Sequence, residues 1–157
     1  MQLKLTRAST LQLLEDMRDA PLTFPTPRGG CHPLWILGNL ALSEALFLHE
    51  WILGEASPLA EWEPVFGMGT EPSAEASDYP SFDEVMVEVQ AVRERVLSVF
   101  EAFTEAELDA PSHAPGEMAK FFGTRRQVFL IMANHWLVHR GQVADARRAA
   151  GRDRIGM

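Results

Sequence analysis

From Ser81 to Phe103 the chain carries an apolar residue on nearly every turn of a helix: Phe82, Val85, Met86, Val89, Val92, Val96, Val99 and Phe103. Spacings of three and four residues line one stripe of an α-helix and fit no strand, whose apolar positions alternate. Ser81 and Glu84 stand ahead of the stripe at capping-box spacing, which fixes where the helix starts. A helix this long with one apolar face has to bury that face on other elements, and the remainder of the chain offers helices for the purpose.

Three more helical patterns surround it. The first covers roughly residues 2–19, with Leu3, Leu11, Leu14 and Met17 loosely periodic, and ends before Pro21. The turn-rich segment PLTFPTPRGG follows. The second helix starts near His32, with Pro33 suited to its first turn, and stops at Gly54 after Leu53. Thr104 and Glu107 repeat the capping pattern and predict a short extra turn. The last helix starts at a Thr124 cap and stops at Gly151. A long loop from Gly54 to Pro80, with three Gly and four Pro, separates helices two and three. Loops of that length inside a domain usually cover a site. Residues 111–123 form another loop rich in Pro and Gly. The expectation is an all-α single domain over residues 1–157: an antiparallel four-helix bundle whose long loop crosses the bundle end.

The net charge of −8 argues against a nucleic-acid groove and against a polybasic membrane anchor. The most apolar stretch, Leu34 to Leu53, is interrupted by Asn39, Ser43, Glu44, His49 and Glu50. Such interruptions predict a buried helix and not a bilayer span. The opening MQLKLTRAST shows no apolar signal-peptide core. A single cysteine, Cys31, excludes an internal disulfide and Cys-rich metal sites, and fits a reducing cytoplasm.

The chemistry of the chain concentrates in ANHWLVHRGQVADARRAAG. His135 and His139 lie four residues apart, so on a helix their imidazoles stack on one face. Val128, Ile131, Met132 and Val138 surround His135 at helical spacing, Gln142 continues its line, and Arg125, Arg140, Arg147 and Arg148 fall on the opposite surface. Two inward imidazoles can share a divalent metal, zinc or nickel foremost, when a third donor comes from a facing helix. They can equally be partly exposed helix residues with no common ligand. Asn39 on helix two, flanked by Trp35, Ile36, Leu42 and Leu46, with Ser43 one turn on, is the candidate third donor through its carbonyl oxygen. The alternative role for Asn39 is a hydrogen bond to His135, His139 or a backbone carbonyl. Trp35, Ser43, Gln142 and Trp62 are expected around the site, and Trp62 with Phe66 could roof a pocket over it. Other candidates are weaker. Cys31 beside His32 suggests a nucleophile pair. Glu44 lies roughly 140° from Asn39 around the axis, which points it to solvent. Glu50 and His49 sit far along the axis from Asn39, and His113 is expected to be exposed in its loop.

The segments HPLWILGNLALSEALFLHEW, DYPSFDEV and NHWLVHRGQVADARR together resemble the DinB-like superfamily of metal-binding four-helix bundles. The resemblance covers about residues 30–152. It implies that three histidines hold a divalent metal: His135 and His139 match the fourth-helix pair, and Asn39 stands where the second-helix histidine is expected. It also implies activities such as thiol-dependent transfer or isomerisation using low-molecular-weight bacterial thiols, with hydrolysis of a small molecule as a related possibility, and homodimer formation. The rival expectation is a degenerate site in a non-catalytic, dimeric binding or scaffold protein.

Overall fold

The structure is a computed structural model and describes residues 2–155. The ends of the expected 1–157 domain, residues 1, 156 and 157, lie outside the described residues. The chain is all-α, with no strand among the described residues.

Helix α1 spans Gln2–Glu15, shorter than the expected 2–19; residues 16–19 continue as hydrogen-bonded turns. Helix α2 spans Pro33–Leu46 and runs on as a π-helix, Phe47–Leu53, where an unbroken α-helix was expected. Its start is fixed by His32, whose Nδ1 accepts from the Trp35 amide at 3.1 Å, and by Pro33 at the first turn. Its end is fixed by Gly54, at φ 73°, a left-handed conformation that glycine takes without strain.

The Gly54–Pro80 stretch is not structureless: it holds a 3-10 turn, Ala60–Trp62, the short helix α3, Glu63–Phe66, and a second 3-10 turn, Ala76–Asp78. Helix α4, Phe82–Ala102, follows, then the short helix α5, Glu105–Leu108. The loop 111–123 likewise contains a 3-10 helix, Gly116–Lys120. Helix α6, Arg125–Ala149, closes the fold. Both predicted capping boxes are formed, Ser81 with Glu84 and Thr104 with Glu107, and Thr124 forms a third with Gln127.

Helix α1 packs on α6, and α2 packs on both α4 and α6. Twelve of the fourteen α2 residues are buried, so this helix has almost no solvent side. Its core partners include Val85, Val89 and Val96 from α4 and Val128, Met132, Trp136 and Val143 from α6, all at most 1% exposed. Residues 33–53 are long and apolar enough to cross a bilayer, but two thirds (67%) of the most apolar window is buried inside the protein, as in a core helix.

Two sequence expectations are corrected here. Glu44 does not face solvent. It is 2% exposed and accepts from Arg93 Nη1 at 2.8 Å and from Trp136 Nε1 at 2.7 Å. On a helix buried nearly all round, an azimuth pointing away from Asn39 still points into the protein. Arg147 is not on the charged surface either: it is 6% exposed and its Nε donates to Asp16 at 2.8 Å, joining α6 to the turn after α1.

Candidate functional site

His135 and His139 both turn inward. His139 is 6% exposed and His135 is half-buried. Their Nε2 atoms lie 3.0 Å apart, and His139 Nδ1 lies 2.6 Å from Gln142 Oε1. The Gln142 oxygen can only accept, so His139 Nδ1 carries the proton and His139 Nε2 has a free lone pair. His135 then donates its Nε2–H to that lone pair, and its own Nδ1 is left buried with no hydrogen-bond partner. Burial lowers the pKa of both rings, and the proximity of His139 adds to the effect on His135, which is lowered to about 4. Both imidazoles are therefore neutral at pH 7, the form that ligates metals.

Above the pair is a cavity of about 500 Å3. Helix α2 and its π continuation line it with Trp35, Asn39, Ser43, Phe47 and Trp51 among others. Glu63, Gly67, Met68 and Gly69 close one side from the long loop, and Met118 and Phe122 close another from the second loop. The π-helix sets Phe47 against Trp51, with ring centroids 4.8 Å apart and planes tilted by 52°, and Trp51 in turn stacks on Phe122 at 5.6 Å. The cavity wall is mostly apolar, with a few polar groups at the floor, as in sites for small molecules.

The long loop is fastened over this cavity by polar side chains of α2 that occupy one helical face. His32 Nε2 donates to Ser73 O at 3.0 Å, Trp35 Nε1 to Val65 O at 3.0 Å, and Asn39 Nδ2 to Phe66 O at 2.7 Å. Gly38 completes the seat. A Cβ at that position would lie 2.3–2.5 Å from the Phe66 ring, so only a glycine lets the ring lie against α2. The second loop is fastened by the His113 amide, which donates to Trp51 O at 2.7 Å.

The expected site residues distribute as follows. His135, His139, Asn39, Ser43 and Trp35 meet around one cavity, and Gln142 orients His139 from behind. Of the two roles open to Asn39, the bond to a backbone carbonyl is formed, which leaves Oδ1 as the amide atom available to a ligand. Trp62 does not line the cavity; it packs on Phe66, with centroids 5.3 Å apart, and so supports the loop from outside. Cys31 and His32 do not make a nucleophile pair. Both His32 nitrogens are engaged with backbone, and burial pushes the Cys31 thiol up, away from the thiolate. His49 lies 3.6 Å from Glu55, Glu50 lies near His113 on a separate concavity, and His113 is exposed as expected. The sequence reading missed Phe47, Trp51, Glu63, Met68, Met118 and Phe122 as cavity residues. Only the length of their loops and the aromatic pair at i, i+4 hinted at them.

Whether these donors fit a metal follows from distance and chemistry. Two nitrogens bound to one ion at about 2.0–2.1 Å, at about 90–109° to each other, stand about 2.8–3.4 Å apart. The Nε2 separation of 3.0 Å has that bite. Gln142 on the far nitrogen of His139 is the outer contact that metal-bound imidazoles normally keep. Among the described residues no third His, Cys, Asp or Glu joins the pair. The set therefore fits two strong nitrogen donors plus, at most, the neutral Asn39 oxygen, a weak ligand for zinc or nickel.

No curated protein matches the sequence. A family model described as the DinB superfamily matches residues 2–143, nearly the whole chain. The fold, the inward HxxxH pair and this match converge: the chain belongs to the DinB superfamily.

Proposed function

We propose that the protein binds a small, largely apolar molecule in the cavity between α2, α6 and the two loops, with its reactive end at the His135–His139 pair. A divalent cation, zinc or nickel, would be held there by Nε2 of both histidines, the His135 proton moving from Nε2 to its unpartnered Nδ1, with Oδ1 of Asn39 as third donor and the ligand supplying the remaining one. The observation that carries this reading is the 3.0 Å approach of two inward-turned imidazoles, one buried and one half-buried, at the floor of a mainly apolar cavity. When bound, the cation would act as a Lewis acid or lower the pKa of a ligand thiol or water. The chain's own part is positioning: Gln142 fixes the His139 tautomer, Asn39 and Trp35 hold the loop closed, and Phe47 and Trp51 exclude water. The reaction is a thiol-dependent transfer or a hydrolysis, with a low-molecular-weight thiol as co-substrate, in a cytoplasmic homodimer whose long helices form the antiparallel bundle.

The rival reading is a binding or scaffold protein without a metal. One observation favours it: the Asn39 amide is already committed to Phe66, and no third strong ligand is present among the described residues. Equilibrium dialysis against zinc and nickel, followed by elemental analysis, separates the two. The proposal expects one equivalent per chain in wild type and none in His135→Ala. Equal, negligible metal in both would establish the rival.

A further inference from the structure

We infer that Ser43 reads the ligand: its hydroxyl donates to a carbonyl oxygen carried on the end of the apolar body that meets the imidazole pair, so the cavity takes carbonyl compounds in preference to their apolar analogues. This deepens the small-molecule reading above and rests on it. His32, Trp35, Asn39 and Ser43 follow one another at intervals of three, four and four residues, which sets them along one face of α2 from its cap onward. The first three each donate to a carbonyl oxygen of the long loop: Ser73 O, Val65 O and Phe66 O. Ser43 is next in the row, and its hydroxyl has no hydrogen-bond partner among the described residues. A helical serine can satisfy itself on the carbonyl four residues back, but Ser43 does not bond to Asn39 O. It is half-buried and lines the cavity beside Leu42, Leu46 and Phe47, so the hydroxyl opens into that space.

The row also fixes where that hydroxyl stands. Trp35 meets the His139 ring edge-on, with centroids 6.4 Å apart, and Phe47 meets the His135 ring at 6.2 Å. Asn39 and Ser43 lie between Trp35 and Phe47 in the row, so they stand across from the imidazoles. Among the described residues that line the cavity, no other carries a hydroxyl. The Asn39 amide nitrogen and the Trp35 indole are already committed to the loop. A cation on the two Nε2 atoms and Asn39 Oδ1 draws on lone pairs alone and leaves the Ser43 hydroxyl free, so one ligand head can meet both. A hydroxyl among apolar side chains gains from a partner, and a carbonyl oxygen is the partner that the rest of the row has taken. The ligand class that fits is therefore an acyl compound (a ketone, ester, thioester or amide) on an apolar body.

The test pairs 2-acetylnaphthalene with 2-isopropenylnaphthalene, which has the same shape with a methylene in place of the carbonyl oxygen. Both are titrated into wild type, Ser43→Ala and Ser43→Thr and followed by tryptophan fluorescence, since Trp35 and Trp51 line the cavity. Each titration is run with a chelator and again with saturating zinc. One neutral hydrogen bond changes affinity a few-fold, so Ser43→Ala is expected to weaken the ketone about fivefold and to leave the alkene within about twofold. Ser43→Thr keeps the hydroxyl and should keep most of the ketone affinity. Melting curves check that both variants fold. A loss confined to the ketone upholds the assignment whether or not zinc binds, so its outcome is independent of the cation's. Equal changes for the two probes in Ser43→Ala, or no change, overturn it while leaving a binding cavity in place. Failure of both probes to bind wild type overturns the cavity reading itself, and the assignment with it.

Discussion

The Glu44 carboxylate is enclosed by Arg93, by the Trp136 indole and, further off, by Arg7, whose guanidinium lies 5.5 Å above the Trp136 ring. Burial pushes the Glu44 carboxyl up, and Arg93, the Trp136 indole and Arg7 pull it back. Arg93 also donates through Nη2 to the Leu3 carbonyl, so one buried cluster joins α1, α2, α4 and α6. Removing one member of such a pair leaves a buried charge without a partner, at about 3–5 kcal/mol. Arg93→Met alone is therefore expected to cost that much in denaturant unfolding, and Arg93→Met with Glu44→Leu should recover most of it. Costs that simply add would show that the pair is not coupled. His135 makes a second residue-scale prediction. Its pKa is about 4 in the folded protein and about 6.5 unfolded, so between those values the unfolded chain binds more protons. Stability is full above about pH 6.5 and is lost as pH falls towards about 4, by on the order of 3 kcal/mol at most. Melting the metal-free protein across that range should show the loss, and His135→Gln should flatten it.

At the scale of elements, α2 is both core helix and anchor. Its Gly38 and Asn39 seat Phe66, and this seat holds the loop that walls the cavity. Gly38→Ala puts a methyl group inside the Phe66 ring and should cost about 1–3 kcal/mol as an overpacking change. Hydrogen exchange of residues 63–70 should accelerate with it, while the α4 core stays protected. Unchanged exchange in the loop would mean that the seat does not hold it. The α4 stripe and the three-residue capping offsets were legible because both are local and periodic. The inward pair on α6 was legible for the same reason: Val128 and Met132 mark the apolar face, and His135 and His139 fall on it. The π turn at Phe47–Leu53 was not legible, since it depends on tertiary contacts and not on residue pattern. The destination of Glu44 was misjudged because azimuth alone says nothing when a helix is surrounded on every side. The loop contributions of Glu63 and Met68 require knowing which backbone carbonyls α2 captures, that of Phe122 which carbonyl the His113 amide finds, and no spacing in the sequence encodes either.

For the whole molecule, the core and the cavity are adjoining parts of one helical assembly. Helix α2 lies between them, giving Leu37, Leu40 and Ile36 to the core and Trp35, Asn39 and Ser43 to the cavity. Helix α6 delivers Trp136 to the core and His135 and His139 to the cavity floor within five residues. The two loops close over the top, one hydrogen-bonded to α2 and the other to its π-helical continuation. The account depends on the two imidazoles sharing one cation in that setting. The most direct measurement is an anomalous difference map from crystals soaked in zinc, collected on either side of the absorption edge. The account predicts one peak within bonding distance of Nε2 of both His135 and His139, absent from His139→Ala crystals. A map without density between the rings at saturating zinc, with their Nε2 atoms still joined by a hydrogen bond, would contradict it.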